Sequence, residues 1–120
     1  MRVVTPPIRL NGSAKRLSAY VSENEKYDGK PLYTALVDQA RKAGCAGATV
    51  LRGIEGFGAT SVIHAEHLLR MSSDLPVVVC VIDVESRITA LMEVFSAMVG
   101  DGLITMEDVD VVVYRGGRKA

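Results

Sequence analysis

Between Gly47 and Ile82 the chain reads GATVLRGIEGFGATSVIHAEHLLRMSSDLPVVVCVI, and this stretch decides whether one strand or two stand between the flanking helices. GATVLRGI, 47–54, and LPVVVCVI, 75–82, are both rich in β-branched residues. Turn-forming residues bound them: Gly53, Gly56 and Gly58 end the first, and Ser72, Ser73 and Asp74 precede the second. Both have the length and composition of strands, and Pro76 fits only at the first residues of its run, where its missing N–H removes no ladder bond. Two successive strands are therefore expected here.

Upstream, Pro31 suits the first turn of a helix, and Leu32, Tyr33, Leu36, Val37 and Ala40 form an apolar stripe that stops at Gly44. Before it lies a polar loop, SENEKYDGK, 22–30. Before that, KRLSAYV, 15–21, alternates like a half-buried strand, with Leu17, Ala19 and Val21 on one face. Downstream, Ile88, Leu91, Met92, Phe95, Met98 and Val99 repeat at helical spacing before Gly100, and VDVVVY, 109–114, reads as a last strand. The order is βαββαβ, an α+β ferredoxin-like fold: a four-stranded antiparallel sheet with two helices on one face. The other face is left uncovered. Leu51, Val112 and Tyr114 are expected on it, and burying them calls for a homo-oligomer.

A chain of 120 residues, 48% of them apolar, can bury a core as one domain. MRVVTPPIRLNGSA, 1–14, with adjacent prolines and an Asn-Gly, reads as a flexible N-terminal arm, and the domain as 15–120. Fourteen basic and fourteen acidic residues cancel, which argues against a nucleic-acid binder and requires any bound anion to be held by a local site. The longest apolar run, Leu75–Ile82, is far short of the roughly 20 residues of a membrane span. No direct membrane insertion and a cytoplasmic location are expected. Cys45 and Cys80 are isolated and read as small core hydrophobes rather than a disulfide or zinc site.

Three glycine-bearing clusters are candidates for ligand contact. Gly56 and Gly58, around Phe57, can take positive φ and bring backbone N–H groups close to a phosphate, or can simply form a turn. Gly100, Asp101 and Gly102 follow the second helix, where they could equally be a helix stop. The tail carries Arg115, Arg118 and Lys119 among glycines, a pattern shared by solvated termini. His64 and His67, flanking Glu66, have a spacing that a helix would convert into a shared face, but a third ligand is missing. No base–nucleophile pair is evident: Ser61 lies near His64 only in sequence, so no enzyme is expected.

The order of GATVLRGIEGFGATS, RMSSDLPVVVCVID and MVGDGLITMEDVDV resembles the PII signalling proteins, in which a Gly-Phe-Gly opens a T-loop and a Gly-Asp-Gly forms the B-loop. EKYDGKPLY and RGIEGFGA are similar to the PII-like family labelled domain of unknown function 190. The resemblance covers about residues 15–120. It implies a homotrimer that binds an adenine nucleotide in clefts between subunits and regulates a partner such as a membrane channel or transporter. Thr49 would face the adenine; Gly56, Phe57, Gly58 and Thr60 would form the T-loop base; Gly100, Asp101 and Gly102 would meet phosphate; and Arg115 and Arg118 would add charge. Leu103 stands where PII proteins carry a phosphate-binding lysine, and Thr60 stands where they carry a glutamine, so the resemblance implies AMP or ADP before ATP. The alternative is a metal-handling trimer of the divalent-cation tolerance type, which His64 and His67 would serve.

Overall fold

The computed structural model describes residues 10–58 and 74–116, and eight elements lie within them. They are β1 Gly12–Ser22, β2 Lys26–Tyr27, β3 Lys30–Pro31, α1 Leu32–Lys42, β4 Thr49–Arg52, β5 Pro76–Asp83, α2 Glu85–Met98 and β6 Leu103–Val111. The sheet has four strands in the order β4-β5-β1-β6, every pair antiparallel. This is the ferredoxin-like arrangement expected of a split βαβ repeat: the strands that follow α1 and α2 become the two edges.

Strand periodicity sets the core. Leu17, Ala19 and Val21 of β1 stand opposite Val81, Val79 and Val77 of β5, and all six are buried. Against this face pack Leu32, Leu36 and Ala40 of α1 and Ile88, Leu91 and Phe95 of α2, so both helices cover one side of the sheet. α1 closes with paired bonds, Gly44 N–H to Arg41 O at 3.0 Å and Cys45 N–H to Ala40 O at 3.1 Å, and Gly44 takes φ +78°. That is a Schellman motif, and it turns the chain at the expected glycine.

At the far end of the sheet Asp83 is wholly buried. Its carboxylate accepts from Ala46 N–H at 2.8 Å and Val84 N–H at 2.7 Å, and Arg87 lies 3.3 Å away. A buried carboxylate needs such partners, and here they tie the α1–β4 connection to the start of α2.

Several expectations are corrected. β1 begins at Gly12, ahead of Lys15, and Gly12 stands opposite Val111 of β6. The segment read as a polar loop contains a two-residue hairpin, β2–β3, whose turn residues Asp28 and Gly29 take φ +55° and +83°. Both central residues at positive φ mark the turn type that Asp-Gly favours. Pro31 caps α1 from outside instead of lying in its first turn. The last strand is Leu103–Val111, not 109–114. Valine content favoured the later window, but β1 supplies no partner beyond Gly12, and a strand ends where its ladder ends.

Val112 and Tyr114 consequently lie past the sheet, with Val112 89% exposed, while Leu51 is on the outer face as expected. What does share that face is a row across all four strands, Leu51–Val78–Tyr20–Leu103, in direct register. Leu51 and Leu103 are 58% and 55% exposed, so the row is apolar and open in the single chain.

Candidate functional site

β4 ends at Arg52, and the glycine cluster folds straight back on the start of β5. Gly53 N–H donates to Pro76 O at 2.7 Å. A Cβ at Gly53 would come within 3.0 Å of the Pro76 ring, and one at Gly56 within 3.2 Å, where φ is +151°. Gly56 thus has both reasons to be glycine, close approach and a backbone that side chains resist. Gly58 has neither: it does not take positive φ, and a Cβ there would meet nothing within 4 Å. The expectation of positive φ therefore holds for Gly56 and fails for Gly58. Phe57 is exposed beside them.

The corner is fastened by a residue that sequence reasoning missed. Glu23, just past β1, accepts from Arg52 Nη2 at 2.7 Å through one carboxylate oxygen and from Leu75 N–H at 3.4 Å through the other. Its own N–H donates to Leu75 O at 2.9 Å, and the neighbouring Ser22 hydroxyl donates to Asp74. The chain leaving β4 and the chain entering β5 are both held by residues 22 and 23. No local sequence signal links Glu23 to positions 29 and 52 residues away; the one available hint is a cation, Arg52, directly before the glycines.

The second cluster makes the turn from α2 into β6. Gly102 takes φ +149°, and a Cβ on it would lie 2.6 Å from Tyr20 O, inside any tolerable contact with backbone. Only glycine lets this turn close on β1. Gly100 and Asp101 are exposed, and a Cβ at Gly100 would meet nothing within 4 Å.

The register shows how the clusters relate. Arg52 stands opposite Val77, Val77 opposite Val21, and Leu103 opposite Tyr20 next to it. Both clusters are thus at one end of the sheet but on opposite edges, separated by β5 and β1. Three strand spacings amount to about 14 Å, so one chain does not fold them into one pocket. Thr49 lies on the outer face in the row Thr49–Cys80–Ser18–Thr105, with Ser18 Oγ 4.0 Å from Cys80 Sγ. Arg115 leaves from the other end of β6 and is not brought to either cluster within the chain; Gly116 curls against the Tyr114 ring. Thr60, His64, His67 and Arg118 lie outside the described residues.

Among the described residues no three His, Cys, Asp or Glu side chains gather as a metal site, and no helix is long and apolar enough to cross a membrane. Cys45 and Cys80 are free and partly buried, and burial pushes the Cys45 thiol up. The ionised pairs at the sheet's far end, Arg16–Glu107 at 2.6 Å and Lys15–Asp108, join β1 to β6 and lie away from both glycine clusters.

Residues 14–111 match the family model DUF190, described as Uncharacterized ACR. The chain belongs to this family. It is 43% identical over 98 residues to a UPF0166 protein of Aquifex aeolicus, covering 82% of this chain and 92% of that one. It is 32% identical over 104 residues to the UPF0166 protein MJ1524 of Methanocaldococcus jannaschii, covering 86% and 94%. The family fold is PII-like. A solved structure of CPII, a nitrogen regulatory PII-like protein from Thiomonas intermedia bound to ADP, AMP and bicarbonate, superposes with TM-score 0.57. That match covers 88% of this chain and 92% of CPII at 21% identity, which establishes a shared fold.

Proposed function

We propose that the protein is a non-enzymatic regulatory homotrimer of the PII-like type that binds AMP or ADP between subunits. The observation that carries this reading is the placement of the two glycine clusters at one end of the sheet on opposite edges. A contact that sets the β4 edge of one copy beside the β6 edge of the next is heterologous, and such contacts close into a ring when the rotation allows. It brings Gly53, Gly56 and Phe57 of one chain beside Gly100, Asp101 and Gly102 of another, a cleft with backbone N–H groups from both. The open apolar row Leu51–Val78–Tyr20–Leu103 is the surface that assembly would bury. ADP and AMP in CPII support the choice of ligand.

Leu103, apolar and exposed at the phosphate end, disfavours a third phosphate. Ligand at the Gly56 corner would bias the order of the segment from Ala59 to Asp74, and through it a cytoplasmic partner such as a channel or transporter. Calorimetric titration with AMP, ADP, ATP and a cyclic nucleotide, with light scattering coupled to size exclusion, tests the reading. Trimer mass and Kd on the order of micromolar for AMP or ADP, about −8 kcal/mol, are expected without turnover. A monomer, or no heat with any adenine nucleotide up to millimolar concentration, would refute it. Stoichiometric zinc, copper or nickel in purified protein, lost on replacing His64 and His67, would favour metal handling instead.

A further inference from the structure

Arg52 is the last residue of β4 and sits next to the glycine that folds back on Pro76. Its side chain is 60% exposed, whereas its partner Glu23 is only 17% exposed and is held on its other oxygen by Leu75 N–H. The arrangement is asymmetric: the carboxylate is anchored and the guanidinium is presented. A guanidinium has five N–H donors in a planar fork, and among the described residues Glu23 takes the Nη2 end. No described residue takes the remaining donors at the corner where Gly53 and Gly56 wrap Pro76.

A surface ion pair of this kind contributes little to stability, but an oriented fork is well suited to a phosphate. The need for such a group is visible in the same structure. The chain carries no net charge, Leu103 is apolar at the neighbouring cluster, Arg115 departs from the opposite end of β6, and Lys30 is engaged by Asp38 at 2.8 Å.

We propose that Arg52 is a phosphate-binding residue of the nucleotide site and that Glu23 is its positioning residue. The assignment rests on the nucleotide-binding reading above and adds a cation at the β4 corner that the reading did not name. Because Glu23 also holds Leu75, the anion would be sensed by the group that fastens both strands leaving this corner, β4 and β5.

The test is calorimetry with ADP on the full chain and on Arg52→Gln, Arg52→Lys, Glu23→Gln and the Arg52→Gln/Glu23→Gln double variant, each matched to wild type by circular dichroism and elution volume. Arg52→Gln is expected to weaken ADP at least about tenfold, as loss of charge-assisted bonds does. Arg52→Lys, which keeps the charge but not the fork, should bind at least threefold tighter than Arg52→Gln, by about that order. Glu23→Gln should weaken ADP several-fold alone and not at all when Arg52 is already Gln, since nothing remains to be positioned.

ADP affinity within about twofold of wild type in Arg52→Gln, or a lysine variant no better than the glutamine one, would overturn the role of Arg52. Additive losses in the double variant would overturn that of Glu23. Wild-type protein silent to ADP and to inorganic pyrophosphate alike would overturn the nucleotide reading together with this assignment, whereas ADP binding indifferent to residue 52 overturns the assignment alone.

Discussion

Gly102→Ala isolates the turn on which β6 depends. The added Cβ would lie 2.6 Å from Tyr20 O and 3.1 Å from a Val99 methyl, at a residue whose φ is +149°. Two costs combine. Holding a non-glycine residue in that backbone region costs about 1 to 3 kcal/mol, and relieving the contact means pushing the turn off β1, since a carbonyl oxygen inside a ladder cannot move by itself. A total of about 2 to 4 kcal/mol is expected, a large share of the ~5 to 15 kcal/mol that stabilises a domain.

Equilibrium urea unfolding followed by circular dichroism reads this directly, at one fixed protein concentration because assembly would otherwise shift the midpoint. With a slope on the order of 1 to 3 kcal/mol per molar for a domain of this size, the midpoint should fall by roughly 0.7 to 4 M at unchanged slope. Gly100→Ala is the internal control: it has nothing within 4 Å and does not take positive φ, so it should stay within about 0.5 kcal/mol of wild type. A Gly102→Ala midpoint as close to wild type as that of Gly100→Ala would refute the argument that backbone contact, and not ligand access, requires glycine at this position.

Gly56→Val should lower both stability and ADP affinity, by about 1 to 3 kcal/mol in stability, while Gly58→Val, in open space, should leave stability unchanged; urea unfolding and calorimetry on the pair check this. Leu51→Lys, in the apolar row of the outer face, should break the assembly proposed above, read as a lower mass in light scattering, whereas Val112→Lys, beyond the last strand, should not. Burial raises the Cys45 thiol above its ordinary value. The folded chain therefore keeps the proton where the unfolded chain begins to lose it, near pH ~8.5. This contribution is complete below that pH and is lost as pH rises through the raised folded value. Cys45→Ala should accordingly lose less stability than wild type between neutral and strongly alkaline pH in urea titrations.

The sites divide by whether their cause is local. Leu17, Ala19 and Val21, or Ile88, Leu91 and Phe95, announce the buried face because a strand or helix repeats with its own period whatever it packs on. Gly44 announces the end of α1 for the same kind of reason: the Schellman bonds run between residues five apart or fewer. Asp28-Gly29 carried an equally local hairpin signal, which was obscured by the polarity of its surroundings. By contrast, Glu23 meets Arg52 and Leu75 only after β5 has been inserted between β4 and β1, and no periodicity reports that event.

By itself, then, the sequence determined the order of the four sheet strands and two helices, the face each helix presents to the core and the two glycine clusters, because all of these follow from short-range geometry and the spacing of apolar residues. Tertiary structure decided which glycines are obligatory, where the last strand ends and how the candidate site is divided. Gly102 is obligatory and Gly58 is not, since only the former lies against the backbone of another strand. β6 stops at Val111 because β1 stops at Gly12. The clusters fall on opposite edges because the strand order is β4-β5-β1-β6. Each of these depends on a pairing between residues distant in the chain, and hydrogen-bond register is a property of two strands together that neither strand's sequence contains.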